Sequence, residues 1–225
     1  MMGKLLEQLK AVLPEKLWVP DELAQLYQWI EQQGYYEDYD DGHRTGFLYP
    51  ADKLEESWTD DERQGGTIIL FNANRNDGLR YWFGLEEDSP EICQRLCVFA
   101  RTGAEGSEAA LWLDDDGKLK IVHMGSGSGS ILSCVLADNM VDFLRLLAIG
   151  YDEICWNEEF PYPPNDEQSD SGMHIHPNVE FQQWVQKTFN TTIPATALDI
   201  VKHPAEMGDR DSEDAFCRWA EKQSN

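Results

Sequence analysis

The alternating run Gly125-Ser126-Gly127-Ser128-Gly129-Ser130 is the first segment to weigh for chemistry. Flexible glycine backbone can turn its N–H groups toward an anion, and a serine in a tight turn is a candidate nucleophile. The run lacks the Lys-Ser/Thr ending of a P-loop, and it follows a strand pattern without opening a helix. Nor does its alternation have the symmetry of the G-x-S-x-G nucleophile turn. An inter-strand loop is the better reading. His174-Ile175-His176 sets two imidazoles on one side of an extended segment, with Asp170 nearby, but supplies no firm third metal ligand. A surface or partner-facing loop fits it better. His43, His123 and His203 are scattered and select no triad, although His123 or His174 beside the Gly-Ser loop leaves a hydrolase or transferase as a rival reading. With 42 Asp and Glu in the chain, finding two carboxylates together discriminates nothing. No catalytic residue, metal site or cofactor is expected.

Acidic clusters remain as candidates for binding. They are Glu37-Asp38 with Asp40-Asp41, then Asp60-Asp61-Glu62, Glu86-Glu87-Asp88, Asp114-Asp115-Asp116, and Asp209 with Asp211, Glu213 and Asp214. Any one of them can be a solvated turn. Two have aromatic neighbours, and aromatic anchors beside charge are the mixture found at binding hot spots. Tyr36, Asp38, Tyr39, Asp40 and Asp41 form the first expected contact set. Trp82, Glu86, Glu87 and Asp88, preceded by Tyr81, form the second.

The elements that must position these residues follow from periodicity and stop signals. Leu5, Leu6, Leu9 and Val12 keep helical spacing up to Pro14, and a second helix opens near Pro20, buries Leu23, Leu26, Tyr27 and Ile30, and stops at Gly34. Residues 35–66 offer only short elements around Phe47 to Leu54. Strand patterns follow at Thr67–Phe71, Arg80–Phe83, Ala109–Leu113, Leu119–His123 and Ile131–Val135, with a short helix opened by Ser89-Pro90 and a hairpin turn over Asp114–Lys118. Asp138 is the expected N-cap of an apolar helix over Asn139 to Ile149, closed by Gly150. Residues 157–177 read as a long surface loop, and helices are expected over about Val179 to Phe189 and from near Asp211 or Ser212.

Composition bounds the function. The chain has 225 residues, 41% of them hydrophobic and 11% aromatic, enough to build a core and to exclude a disordered chain. Lys and Arg number 18 against 42 acids, a net charge of −24 that is spread along the sequence with an excess toward the C-terminus. Such a field repels nucleic acid and anionic membranes and attracts basic partners. The first residues are broken by charges before any signal-peptide length is reached, and no apolar run spans a bilayer, so a cytoplasmic protein is expected. Cys93, Cys97, Cys134, Cys155 and Cys217 are odd in number with no zinc-type pairing, which suits reduced thiols; Cys93 and Cys97, four apart, are expected on one helix face.

Three blocks resemble the SUKH superfamily of immunity proteins. Leu13-Pro14 followed by Trp18, Pro20, Leu23, Leu26 and Gly34 resembles its opening helix. Phe99-Ala100-Arg101-Thr102-Gly103-Ala104, leading to Ala110-Leu111-Trp112, Gly117 and Ile121-Val122, resembles its central strands. Val135-Leu136-Ala137-Asp138-Asn139 with Asp142–Leu147 resembles its closing strand-to-helix block. The resemblance covers about residues 13–154 and rests on order and spacing rather than on a catalytic motif.

It implies an α+β fold, a mixed, mainly antiparallel sheet with helices packed on one side. A single domain over 1–225 is expected, with a helical extension over 178–225 folded onto it. The implied function is a monomeric immunity protein that neutralises a cognate toxin, such as a basic nuclease, by occluding its active site or substrate groove. Eukaryotic members of the superfamily include regulators of cell-wall synthesis, so an acidic scaffold or regulator that binds another basic protein is the alternative.

Overall fold

Apolar residues at helical spacing produce the first two helices. α1 (Lys4–Val12) buries Leu5 and Leu9. α2 (Asp21–Gln33) buries Leu23, Leu26, Tyr27, Trp29 and Ile30, and carries Asp21 and Glu22 in its first turn, where the helix dipole favours acid. The structure, a computed structural model, describes residues 3–54, 62–73, 78–168 and 174–224.

Seven strands form one antiparallel sheet: β1 (Tyr36–Asp38), β2 (Arg44–Phe47), β4 (Leu70–Phe71), β5 (Leu96–Arg101), β6 (Glu108–Leu113), β7 (Leu119–Met124) and β8 (Ser133–Ala137). They lie side by side in chain order. β3 (Glu62–Gln64) and β9 (His174–His176) pair separately as a short parallel ribbon. The fold is therefore α+β with a mainly antiparallel sheet, as expected, but helices pack on both faces of that sheet rather than on one, because the central strands carry apolar side chains on both sides. In the β6–β7 hairpin, the Asp114 carboxylate accepts the backbone N–H groups of Asp116 and Lys118 at 2.9 and 2.8 Å, so one of the acidic clusters is partly turn chemistry.

Alternate residues of the central strands feed two cores. Cys97, Phe99, Leu111 and Ile121 face the larger one, closed by α1, α2, α6 (Met140–Ile149) and α7 (Val179–Phe189). Leu96, Val98, Trp112 and Val122 face the smaller one, closed by α4 (Leu79–Trp82), α5 (Pro90–Arg95) and α8 (Ala215–Gln223). Burial on both faces explains why these strands read as nearly continuous apolar runs. The C-terminal extension contributes to both cores. Trp184 of α7 stacks on Trp29 at 5.2 Å, while Phe216 and Trp219 of α8 lie 5.4 and 5.6 Å from Trp112. Asp214 caps α8 through the Cys217 N–H at 2.8 Å and also accepts the Val135 N–H at 2.9 Å, fastening the helix to β8.

Several local expectations are corrected. Arg80–Phe83 lies in a helical turn, not a strand, because helical spacing lets Leu79 and Phe83 both enter the smaller core; the β-propensity of three adjacent aromatics is overridden by packing. The helix opened by Pro90 stops at Arg95 and β5 begins at Leu96, so Cys93 is helical, Cys97 is in a strand, and the two share no helix face. The stretch after Gly34 holds a hairpin, β1–β2, ahead of the short helix α3 (Ala51–Leu54). Only Leu70 and Phe71 of the Thr67–Phe71 run form a strand, and the last strand is shifted to Ser133–Ala137.

The cap of α6 is Asn139, whose side chain accepts the Asp142 N–H at 3.0 Å. Asp138 instead binds the ammonium groups of Lys120, at 2.8 Å, and Lys202. The final helix starts at Ala215, later than Asp211 or Ser212. Within 157–177, Asn157–Glu159 makes a 3-10 turn and His174–His176 makes β9. Residues 169–173, which include Asp170, and Asp60 and Asp61 of the second acidic cluster lie outside the described residues. Among the described residues no helix is long and apolar enough to cross a membrane.

Candidate protein-interaction groove

Residues 78–95, ahead of β5, reach over the smaller core. Leu79 and Phe83 anchor them, being 3% and 1% exposed. One helical turn with those two residues inward puts Tyr81 outward, 69% exposed. Trp82 is half-buried between Phe83 and Phe216, with ring centroids at 4.7 and 6.2 Å. Its indole N–H donates to the Gly125 carbonyl at 2.7 Å. This bond joins α4 to the Gly-Ser loop that follows β7.

The Gly-Ser loop is built by its own backbone. Gly125 N–H donates to the Leu132 carbonyl and Gly127 N–H to the Ser130 carbonyl, both at 2.9 Å. A Cβ at position 125 would lie 2.6 Å from the Ser130 oxygen and 2.9 Å from the Leu132 oxygen, so close backbone approach requires glycine there. The Ser126 hydroxyl accepts the Gly129 N–H at 3.1 Å, and the Ser130 hydroxyl donates to the Cys155 carbonyl at 2.6 Å. Those two serines are engaged with backbone rather than with an imidazole. The loop is an inter-strand connection, as its composition implies.

Between α4 and this loop runs a groove of about 590 Å³. Val98 and Met124 are among its apolar lining, Tyr81 and Trp82 form one side, and Glu105 and Glu108 bring carboxylates to it. The Glu105 carboxylate accepts the Ser107 hydroxyl and, at 3.2 Å, the Ser107 N–H. Burial pushes its pKa up, but those bonds and the Ser130 N–H outweigh it and leave the pKa below the usual value. Glu108 differs. It makes no hydrogen bond through its carboxylate among the described residues, and burial raises its pKa against the opposing charge of Arg101. Arg101 itself is held by carbonyl oxygens, donating to Gly103 at 2.9 Å and to Ala104.

The two expected contact sets are not brought together. Tyr36, Asp38, Tyr39, Asp40 and Asp41 sit on the hairpin at the β1 edge of the sheet, against the α1 side. Asp38 is tied to Lys4 at 2.7 Å and to Arg44 by two bonds of 2.7 and 2.9 Å, which hold its pKa far below the usual carboxylate range. Tyr36 lies under the Arg44 guanidinium at 3.6 Å. Asp41 accepts the His43 N–H at 2.8 Å and shapes the turn. Tyr39 projects, being 50% exposed, with Asp40 and Asp41 exposed beside it.

Of the second set only Trp82 lines the groove, as a hydrogen-bonded strut. Glu86, Glu87 and Asp88 are exposed in the turn after α4. Tyr81, Glu105 and Glu108 were not among the expected contacts. A strand reading of Arg80–Phe83 conceals that Tyr81 is the aromatic left outside, and no local signal in the sequence places residues 105 and 108 across from it.

The described residues contain one group with metal-donor geometry, Glu105, Glu153 and Cys155, whose donor atoms lie within 4.8 Å of one another. Its donors are already engaged. Glu153 accepts the Ala104 N–H at 2.8 Å and the Trp156 indole N–H at 2.6 Å, and burial with the two nearby carboxylates pushes the Cys155 thiol pKa up, disfavouring the thiolate a metal needs. His174 and His176 sit with ring centroids 4.6 Å apart, and His176 Nε2 is 3.3 Å from a Glu62 oxygen. They are not part of that group. His123 is 0% exposed, its Nδ1 2.9 Å from the Leu132 carbonyl, and it is closed off from solvent. Comparison with protein-family models, with curated proteins and with solved structures finds no match to this chain.

Proposed function

We propose that this chain is an immunity protein that binds a cognate bacterial toxin and neutralises it by covering the toxin's active site or substrate groove. The observation that carries the reading is the groove beside α4, where an exposed tyrosine and a half-buried tryptophan adjoin carboxylates on a chain of net charge −24. Aromatic anchors with charge around them supply affinity at protein interfaces, and a strongly acidic field steers a basic partner to them rapidly. A toxin that acts on nucleic acid needs a basic groove of its own, and an acidic inhibitor competes there with the phosphate backbone. The order of the sequence blocks that resemble the SUKH superfamily supports the same reading. The inhibitor works in the cytoplasm, as a monomer, without a cofactor and without chemistry of its own.

Sequencing the neighbouring genes and co-expressing this chain with any toxin they encode is the direct test. Relief of lethality, together with a complex recovered by pull-down and weakened by salt, is the expected result. A neighbouring toxin whose lethality this chain leaves unrelieved refutes the proposal. A basic host protein recovered in the toxin's place favours an acidic scaffold or regulator.

A further inference from the structure

The groove's occupant can be named by its chemistry. Of the described residues lining it, two are carboxylates and none is Lys, Arg or His, so the lining favours a positively charged occupant. Glu108 lies at the wall with its carboxylate unbonded among the described residues, and the nearby Arg101 is directed to backbone carbonyls instead. Tyr81 lines the groove with its ring largely open, and it already carries one guanidinium. Arg80 lies 4.6 Å from the ring centroid, and a guanidinium nitrogen of Arg80 donates to the tyrosine hydroxyl at 2.6 Å. The residue remains 69% exposed with that neighbour in place. Leu79, Val98 and Met124 line the same groove and give it an apolar component suited to the methylene stem of a long cationic side chain. A planar guanidinium both stacks on an aromatic face and pairs side-on with a carboxylate, which an ammonium group does less well.

We propose that this groove receives an arginine side chain of the basic partner protein, stacked against Tyr81 and paired with Glu108. The inference rests on the proposed binding of a basic protein, but not on that protein being a toxin. Trp82 is a positioning residue: its bond to the Gly125 carbonyl sets the distance between α4 and the Gly-Ser loop. Glu86, Glu87 and Asp88 in the following turn add the field that draws the partner in.

The test uses the whole protein, labelled with nitrogen-15, titrated with the peptide acetyl-Gly-Arg-Gly-amide and with its citrulline counterpart, which keeps the shape and lacks the charge. The arginine peptide is expected to shift the Trp82 indole resonance and the amides of Tyr81, Glu108 and Ser126, and the citrulline peptide to leave them in place. Glu108→Gln is expected to weaken the arginine response at least about tenfold, and Tyr81→Ser to weaken it with the fold unaltered, since that ring is exposed. Asp116→Asn, in the distant hairpin turn, is expected to change nothing.

Shifts centred on the Tyr39–Asp41 hairpin or scattered over the surface overturn the proposal. So does an equal response to citrulline, or an arginine response that survives both Glu108→Gln and Tyr81→Ser. Toxin protection that persists while the peptide fails to bind refutes this groove alone. Peptide binding that persists while protection fails refutes the toxin reading alone.

Discussion

Replacing Phe216 with alanine measures how far the C-terminal helix belongs to the stability of the fold. Phe216 is 0% exposed, and its ring centroid lies 5.4 Å from that of Trp112, 5.9 Å from Trp219 and 6.2 Å from Trp82. Loss of a buried phenyl ring forfeits about 2–3 kcal/mol of transfer free energy, and each aromatic pair adds about 0.5–1.5 kcal/mol. Partial collapse of the cavity brings the expected destabilisation to about 3–5 kcal/mol. For a chain of this length that lowers the melting temperature by about 6–20 °C. Guanidinium unfolding followed in parallel by tryptophan fluorescence and far-ultraviolet circular dichroism reads it out, because three tryptophans surround the deleted ring. Leu198→Ala, at a side chain 43% exposed, is the matched control and is expected to cost little. A Phe216→Ala cost below about 1 kcal/mol, with unchanged tryptophan emission, refutes the reasoning that α8 closes the second core.

Burial and the resulting loss of hydration hold the His123 pKa down at about 4, against 6.5 unfolded, so its neutral form is favoured in the fold. Stability from this group is complete above about pH 6.5 and falls by about 3 kcal/mol as the pH drops toward 4; His123→Gln is expected to flatten that part of a pH–stability profile, and an unchanged slope contradicts the assignment. Asp138 behaves in the same direction at lower pH: hydrogen bonds from Lys120 and Lys202 lower its pKa from 3.8 to about 2. Its contribution is present above about pH 4 and lost toward pH 2; with the side chain 40% exposed, solvent screening reduces it to about 1 kcal/mol, measurable as the difference between the wild type and Asp138→Asn.

Gly65→Ala is expected to destabilise by more than about 2 kcal/mol in urea unfolding, because the added carbon would lie 2.1 Å from the Gly150 carbonyl oxygen. A neutral effect would contradict that close approach. Cys93 alone is partly exposed, so a thiol reagent is expected to label it first in the native protein and the other four cysteines only on unfolding. Early labelling of Cys155, checked by peptide mass, would contradict its burial.

Elements whose register is set locally were legible in the sequence. α2 follows from periodic apolar residues ending at Gly34, α7 lies over Val179–Phe189 as expected, and the β6–β7 hairpin follows from two strands flanking an acidic turn with glycine. Segments decided by distant partners were not. Arg80-Tyr81-Trp82-Phe83 has the residue types of a strand, and only the smaller core, assembled from β5–β7 and a helix more than a hundred residues later, makes the helical turn the better packed solution. The cap of α6 is a related case. Asp138 and Asn139 are both good capping residues, and two lysines, one from β7 and one from the C-terminal extension, engage the aspartate and leave the cap to Asn139.

The same division holds for the candidate site. Charge and aromatic content are additive properties of the chain, so the sequence alone determined that this is an acidic folded protein and that aromatics beside acids mark two regions worth testing. Which of those residues are available depends on contacts across the molecule. Asp38 is neutralised by Lys4 from α1 and Arg44 from β2, Trp82 is pinned to a carbonyl forty-three residues away, and Tyr81 is left outside. Glu108 faces the groove because strand alternation points it to the side covered by α4, and only the tertiary structure sets that helix opposite it.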